Sequence, residues 1–137
     1  MNTVQIITTA YIYDVWDKVE SFLNASINVS GGDFTLDQLK HSLGKGEQTL
    51  LVSVNDNNVI NGAMTVEFIN RPNDRVMFIT ALGGYGIVND ETFSQVESWA
   101  KSQGATKASA WAQEAQARLY KIKSNFNTVR YVVEKDL

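Results

Sequence analysis

The stretch Arg75-Val76-Met77-Phe78-Ile79-Thr80-Ala81-Leu82, followed by Gly83-Gly84-Tyr85-Gly86, decides the fold. Its first eight residues are apolar on both faces, because Val76 and Phe78 alternate with Met77 and Ile79 and leave no polar row between them. Such a run predicts a strand inside a sheet that is covered on both sides. Three glycines in the next four residues let the backbone turn tightly and bring its amides close to something. A helix is predicted from Asp90 to Gln103, capped by Asp90 or Asn89, with Phe93, Val96, Trp99 and Ala100 on one face and Gly104 as its stop. A glycine loop that opens onto a helix N-terminus is a place where a phosphate can sit.

Upstream, Val4, Ile6 and Thr8 predict a first strand, and Asp14 is read as the cap of a helix holding Val15, Trp16, Val19, Phe22 and Leu23. Asn28 to Asp33 reads as a loop, and Thr35 as the cap of a short helix that Gly44 ends. His41 falls off that helix's apolar stripe, which makes it a solvated side chain. A meander follows: Leu50, Val52 and Val54, the turn Asn55–Asn58, then a strand from Ile60 to Ile69. That strand carries Met64, Val66 and Phe68 on one face, Thr65 and Glu67 on the other. Downstream, Thr106 to Trp111 is a short strand with small residues at Ala108, Ser109 and Ala110. Gln113 to Lys123 reads as a last helix, and Thr128 to Glu134 as a closing strand in which Val129, Tyr131 and Val133 alternate with Arg130 and Val132. The predicted order is β-α-α-β-β-β-α-β-α-β, an α/β (α+β) domain with a central mixed sheet and helices on both faces.

Length and composition bound the function. The 137 residues make one domain, 1–137, large enough for its own core. No cysteine is present, which excludes disulfides, thiolate catalysis and cysteine zinc sites, and the single histidine excludes multi-histidine metal sites, so no metal is expected. Residues 1–100 hold five Lys/Arg and twelve Asp/Glu, whereas residues 101–137 hold seven and three. With no dense basic run and a net charge of −3, nucleic-acid binding is not indicated. No apolar run reaches the roughly 18 residues of a membrane span, and the first residues do not read as a signal peptide. The expected compartment is the cytosol, that of a host cell if the gene is viral.

The element order resembles the GNAT (N-acetyltransferase) superfamily, and more particularly short phage-encoded GNAT-like proteins. Three patterns carry the closer resemblance. One runs from Phe34-Thr35-Leu36 through Gly46 to Leu50-Leu51-Val52. A second is Ile79-Thr80-Ala81-Leu82-Gly83-Gly84 with Trp99-Ala100 and Ser102-Gln103-Gly104-Ala105. The third is Ala117-Arg118-Leu119-Tyr120, Asn125-Phe126 and Val132-Val133-Glu134-Lys135-Asp136-Leu137. The resemblance implies acetyl-CoA in a V-shaped opening between the central strand and its parallel neighbour, with its pyrophosphate on the amides of a Gln/Arg-x-x-Gly-x-Gly/Ala loop. That loop falls on Ala81 to Gly86, so Leu82, Gly83, Gly84, Tyr85 and Gly86 are the implied cofactor residues. Ala81 stands where Gln or Arg is expected, Ile87-Val88-Asn89 separate the loop from the helix, and Asp90 and Glu91 open that helix. Acetyl transfer needs an acid, a base and a donor for the thioester carbonyl. The resemblance implies Tyr120 as the acid, while Glu67 is the residue placed to act as base through water. Two readings stand: an acetyl-CoA-dependent N-acetyltransferase acting on an unnamed acyl acceptor, or a non-catalytic phage protein. The latter would be a virion or internal capsid component, oligomeric there with itself or another chain, or a protein that engages a host partner. The first reading places the protein in the host cytoplasm, the second there or in the virion.

Overall fold

A computed structural model describes residues 1–29, 34–112, 118, 120, 121 and 124–137. Five strands form one mixed sheet in the order β1 (Thr3–Ile7), β2 (Thr49–Val54), β3 (Ile60–Asn70), β4 (Arg75–Gly83), β5 (Lys107–Ala110). The first four pair antiparallel, and β5 joins β4 in parallel. That parallel step requires a crossover, which α3 (Asp90–Ser102) supplies. Helices α1 (Ile12–Val29) and α2 (Leu36–Gly44) cover the opposite face.

The sheet therefore has two cores. Beneath α1 and α2 lie Leu50, Val52, Val54, Ala63 and Ala81, packed with Trp16, Val19, Leu23, Leu39 and Leu43. On the α3 side lie Leu51, Met64, Val66, Met77 and Ile79, packed with Ile87, Phe93, Val96 and Ala100. Alternate residues of each strand feed opposite cores, as the period of two dictates. The expectation of a doubly covered β4 holds, and β4 lies between β3 and β5.

Local signals explain most element ends. Thr35 accepts from the Gln38 N–H at 3.2 Å, and Gln38 Oε1 accepts from the Thr35 N–H at 2.9 Å, which closes a capping box at α2. Asn89, one of the two expected caps, accepts from the Thr92 N–H at 3.0 Å. Three boundaries differ from the reading above. A 3-10 turn over Thr9–Tyr11 leads directly into α1, so Asp14 sits in the first turn, where its charge suits the helix dipole, and does not cap. Gly44 is the last residue of α2, and the left-handed conformation falls at Gly46 (φ +81°). Most of the loop expected at Asn28 to Asp33 lies outside the described residues, although α1 reaches Val29.

The largest correction concerns the closing strand. Thr128 to Glu134 pairs with nothing among the described residues, and Val129, Tyr131 and Val133 are 76%, 91% and 91% exposed. The alternation that predicted a strand is present, but a strand exists only against a neighbour's edge, and this segment leaves the body without meeting one. Of the expected last helix, Arg118, Tyr120, Lys121 and Ser124 are helical and the rest of Gln113 to Lys123 lies outside the described residues.

Candidate functional site: the parting of β4 and β5

The parallel register runs from Val76 with Lys107 to Ile79 with Ala110 and stops there. Beyond it, Thr80 to Gly83 of β4 has no partner on the β5 side among the described residues. Trp111, the residue after β5, is 59% exposed and sets its ring edge-on against Phe78 with centroids 5.4 Å apart. The two strands thus part at Ile79 and Ala110.

A β-bulge marks the same point. Thr65 pairs with Ala81 and Val66 with Ile79, which leaves Thr80 as the extra residue of β4. The consequence is visible in the cores: Ile79 and Leu82 face α3, while Ala81 faces α1 and α2. The Thr80 side chain shares the latter face, with its hydroxyl 2.7 Å from that of Thr65 and 2.5 Å from Gln48 Oε1. An amide oxygen only accepts, so Thr80 donates to Gln48 and Thr65 donates to Thr80. Gln48 also lines an open groove of about 390 Å3 with Phe34, Gln38, His41, Ser42 and Glu47. A chain of hydroxyls and an amide therefore connects the bulge to a groove beside α2. The sequence set Thr65 on the second face of its strand without a role and gave none to Thr80 or Gln48; the usable signal was one threonine in an otherwise apolar strand.

The glycine loop is built for close approach, chiefly to the protein itself. A Cβ on Gly83 would overlap the carbonyl oxygen of Phe22 in α1. A side chain on Gly84 (φ +88°) would meet the backbone of Asn61 and Gly62, and one on Gly86 would overlap the Asn61 side chain. Ser26 Oγ accepts from the Leu82 N–H at 3.1 Å, and the Asn61 carbonyl accepts from the Gly86 N–H at 3.3 Å. The N–H groups of Gly84 and Tyr85 take no hydrogen bond among the described residues, and both residues are exposed, Tyr85 by 82%. Ile87, fully buried in the α3-side core, holds the segment between loop and helix down, so α3 begins only at Asp90. Asp90 and Glu91 occupy its first turn, and Glu91 Oε1 accepts from the Asn2 N–H at 3.1 Å.

The two residues singled out for proton transfer lie on opposite sides of the sheet. Glu67 follows Val66 and precedes Phe68, both in the α3-side cluster, so it shares the α1/α2 face with Thr65 and Thr80 and is half-buried there. Tyr120 packs on the α3 side, its ring 5.0 Å from that of Phe126, which in turn stacks edge-on against Phe93. Burial pushes the Tyr120 hydroxyl up to about 12. His41 is exposed on α2, as expected.

This arrangement of elements is the fold of the GNAT acetyltransferases. The chain is similar in structure to a predicted acetyltransferase from Clostridium acetobutylicum solved with acetyl-CoA, at 14% identity over 99% of this chain and 96% of that one, with a TM-score of 0.67. It is similar to a mutant of the BH1408 protein from Bacillus halodurans at 12% identity over 98% of each chain, TM-score 0.67. A ribosomal-protein-alanine N-acetyltransferase from Brucella melitensis matches at 10% identity over 99% and 100%, TM-score 0.65. No protein-family profile and no curated protein matches the sequence. No helix among the described residues is long and apolar enough to cross a membrane.

Proposed function

We propose that this is a phage-encoded GNAT-fold protein that binds acetyl-CoA weakly and transfers its acetyl group to an amine. The observation that carries the reading is the parting of β4 from β5 beside the Thr80 bulge. Past Ile79, β4 offers backbone to the opening, and a bulge leaves backbone polar groups outside the regular ladder. An amide aimed from there at a carbonyl oxygen is the kind of fixed donor that stabilises a developing oxyanion. Acetyl-CoA, when bound, supplies an activated thioester.

The chain's residues suit the two ends of that cofactor unequally. At the acyl end, the pairing of β4 with β5 stops at Ile79 and Ala110, and the bulge interrupts the regular ladder of β4. At the diphosphate end, the exposed N–H groups of Gly84 and Tyr85 are the donors, with Leu82, Gly83 and Gly86 shaping the turn around them. Asp90 and Glu91 oppose them, and no Lys or Arg lies between Arg75 and Lys101. This balance predicts weak binding. Glu67, on the acceptor side, takes the proton of the incoming ammonium through water; Tyr120, protonated throughout the neutral range, serves as the acid if it reaches the opening from the α3 side.

Titration calorimetry tests the reading. Acetyl-CoA at millimolar concentration gives measurable heat, and Asp90→Asn combined with Glu91→Gln tightens it; the absence of heat with both proteins removes the proposal. A second reading, a non-catalytic phage virion or host-interaction protein, draws support from the glycine loop closed on Phe22 and Asn61. Mass spectrometry of purified particles discriminates a virion component from a protein confined to the host cytoplasm.

A further inference from the structure

Where β3, β4 and β5 run side by side, the α1/α2 face of the sheet carries a row of three half-buried residues. Glu67 stands opposite Phe78, and Phe78 opposite Ser109. Trp111 lies two residues on from Ser109 and so shares its face, with its ring meeting that of Phe78 at 77°. More than half of Trp111 is open to solvent. Glu67 takes no hydrogen bond or ion pair among the described residues. Lys107, the cation that β5 carries on that face, is held by Asp74 at 3.0 Å instead. A carboxylate drawn partly out of water without a partner is costly, and a large ring left beside it adds apolar surface in contact with water.

We propose that Glu67, Phe78 and Trp111 form a subsite for the acceptor, and that they select a primary ammonium carried on an unbranched apolar stem. The charge of an alkylammonium spreads onto its adjoining methylenes, and an aromatic face attracts both the charge and the methylenes. Two rings set nearly at right angles make a corner for such a stem. Glu67 supplies the counter-charge, across the water through which it also takes the proton. The same corner discriminates. Hydroxyls flanking an amine meet no hydrogen-bonding partner on either ring and lose their water, and a second charge meets no second carboxylate in the row. Thr65 and Thr80 lie two residues from Glu67 and Phe78 along β3 and β4, about 7 Å away. An amine held in the row therefore stands next to the bulge at which the strands part. As an acceptor site the row rests on the reading of that opening as a place of acetyl transfer; as a site for ammonium it stands alone.

Nuclear magnetic resonance of the full chain without acetyl-CoA tests this, with n-butylammonium, n-butanol and glucosamine titrated in the millimolar range. Butylammonium shifts the Trp111 indole and the amides of Phe78 and Ser109, and butanol and glucosamine bind at least about tenfold more weakly. Trp111→Ala, at an exposed ring, weakens butylammonium binding roughly two- to fivefold and leaves the melting temperature unchanged. Glu67→Gln weakens it about tenfold. The absence of a shift at these three positions overturns the proposal. So do butanol or glucosamine binding as well as butylammonium, or a site that survives both variants. Calorimetry with acetyl-CoA separates the two readings: heat without an ammonium shift removes the subsite and leaves acetyl transfer standing, whereas a shift without heat keeps the ammonium site and removes its role as acceptor.

Discussion

The two halves of β4 are held by different means. From Val76 to Ile79 the strand is zipped to β5, and its start at Arg75 is clamped by polar contacts. Arg75 Nε donates to the Gln103 carbonyl at 2.9 Å, its guanidinium covers the Phe68 ring, and Asp74 accepts from Thr106 at 3.0 Å and pairs with Lys107 at 3.0 Å. From Thr80 to Gly83 the strand has lost β5 and is instead pressed against α1, with Gly83 on the backbone of Phe22. The closed half is secured by exposed charges and hydrogen bonds, the open half by contact too tight for a side chain. An opening in a sheet is thus kept in place by packing on the face of the strand whose edge has been freed.

The largest test of this contrast is Gly83→Ala. The added methyl meets rigid backbone, so the variant loses at least about 3 kcal/mol in denaturant unfolding. Gly104→Ala, whose methyl would meet only ordinary contacts with the Arg75 side chain but where φ is +87°, costs only about 1–2 kcal/mol. Equal losses would mean that α1 yields and that packing does not hold the open half.

Next in size is a pH effect. Tyr120 belongs to the cluster that also holds Leu82 and Ala110, one residue from each parted strand end. Its hydroxyl is raised from 10.0 to about 12, so its neutral form is favoured by the fold. That contribution, on the order of 2–3 kcal/mol, is fully present below pH 10 and is lost as pH rises toward 12. Chemical denaturation at rising pH shows the decline in the parent chain, and Tyr120→Phe flattens it.

Thr80→Val comes third. It leaves Gln48 Oε1 without its donor and Thr65 without its acceptor, for a loss of about 1–2 kcal/mol, and a bulge that depends on those bonds shows faster amide exchange at Ile79 to Leu82. The smallest effect belongs to the clamp. Hydrogen bonds from Lys107 and Thr106 hold Asp74 below the usual carboxylate range, so its contribution is present above pH 3.8 and fades as pH falls below it. Asp74→Asn lowers the melting temperature slightly at neutral pH and not at all in strong acid.

The sequence announced β4 clearly, because an apolar run with no polar row has one comfortable place in a sheet. It announced the glycine loop's close approach too, but not to what: Phe22 and Asn61 lie 61 and 25 residues before Gly83 and Gly86, and only the fold brings them there. The bulge was hidden because it exists as a mismatch of register between Thr65–Val66 and Ile79–Ala81, which neither strand carries alone. The tail at Thr128–Glu134 shows the same limit. Alternation specifies that a segment suits a sheet, and the partner edge decides whether it joins one.

Asn61 has a wider consequence. Its side-chain oxygen accepts from Ser53 Oγ at 2.6 Å, its amide donates to Asn2 at 3.1 Å, and its carbonyl holds Gly86. One buried residue therefore knots β2, β3, the chain's first residues and the turn before α3. A guest entering the cleft finds that wall immovable unless several segments shift in concert. Any widening falls to the far bank, where β5 is four residues long and its outer edge meets no strand among the described residues.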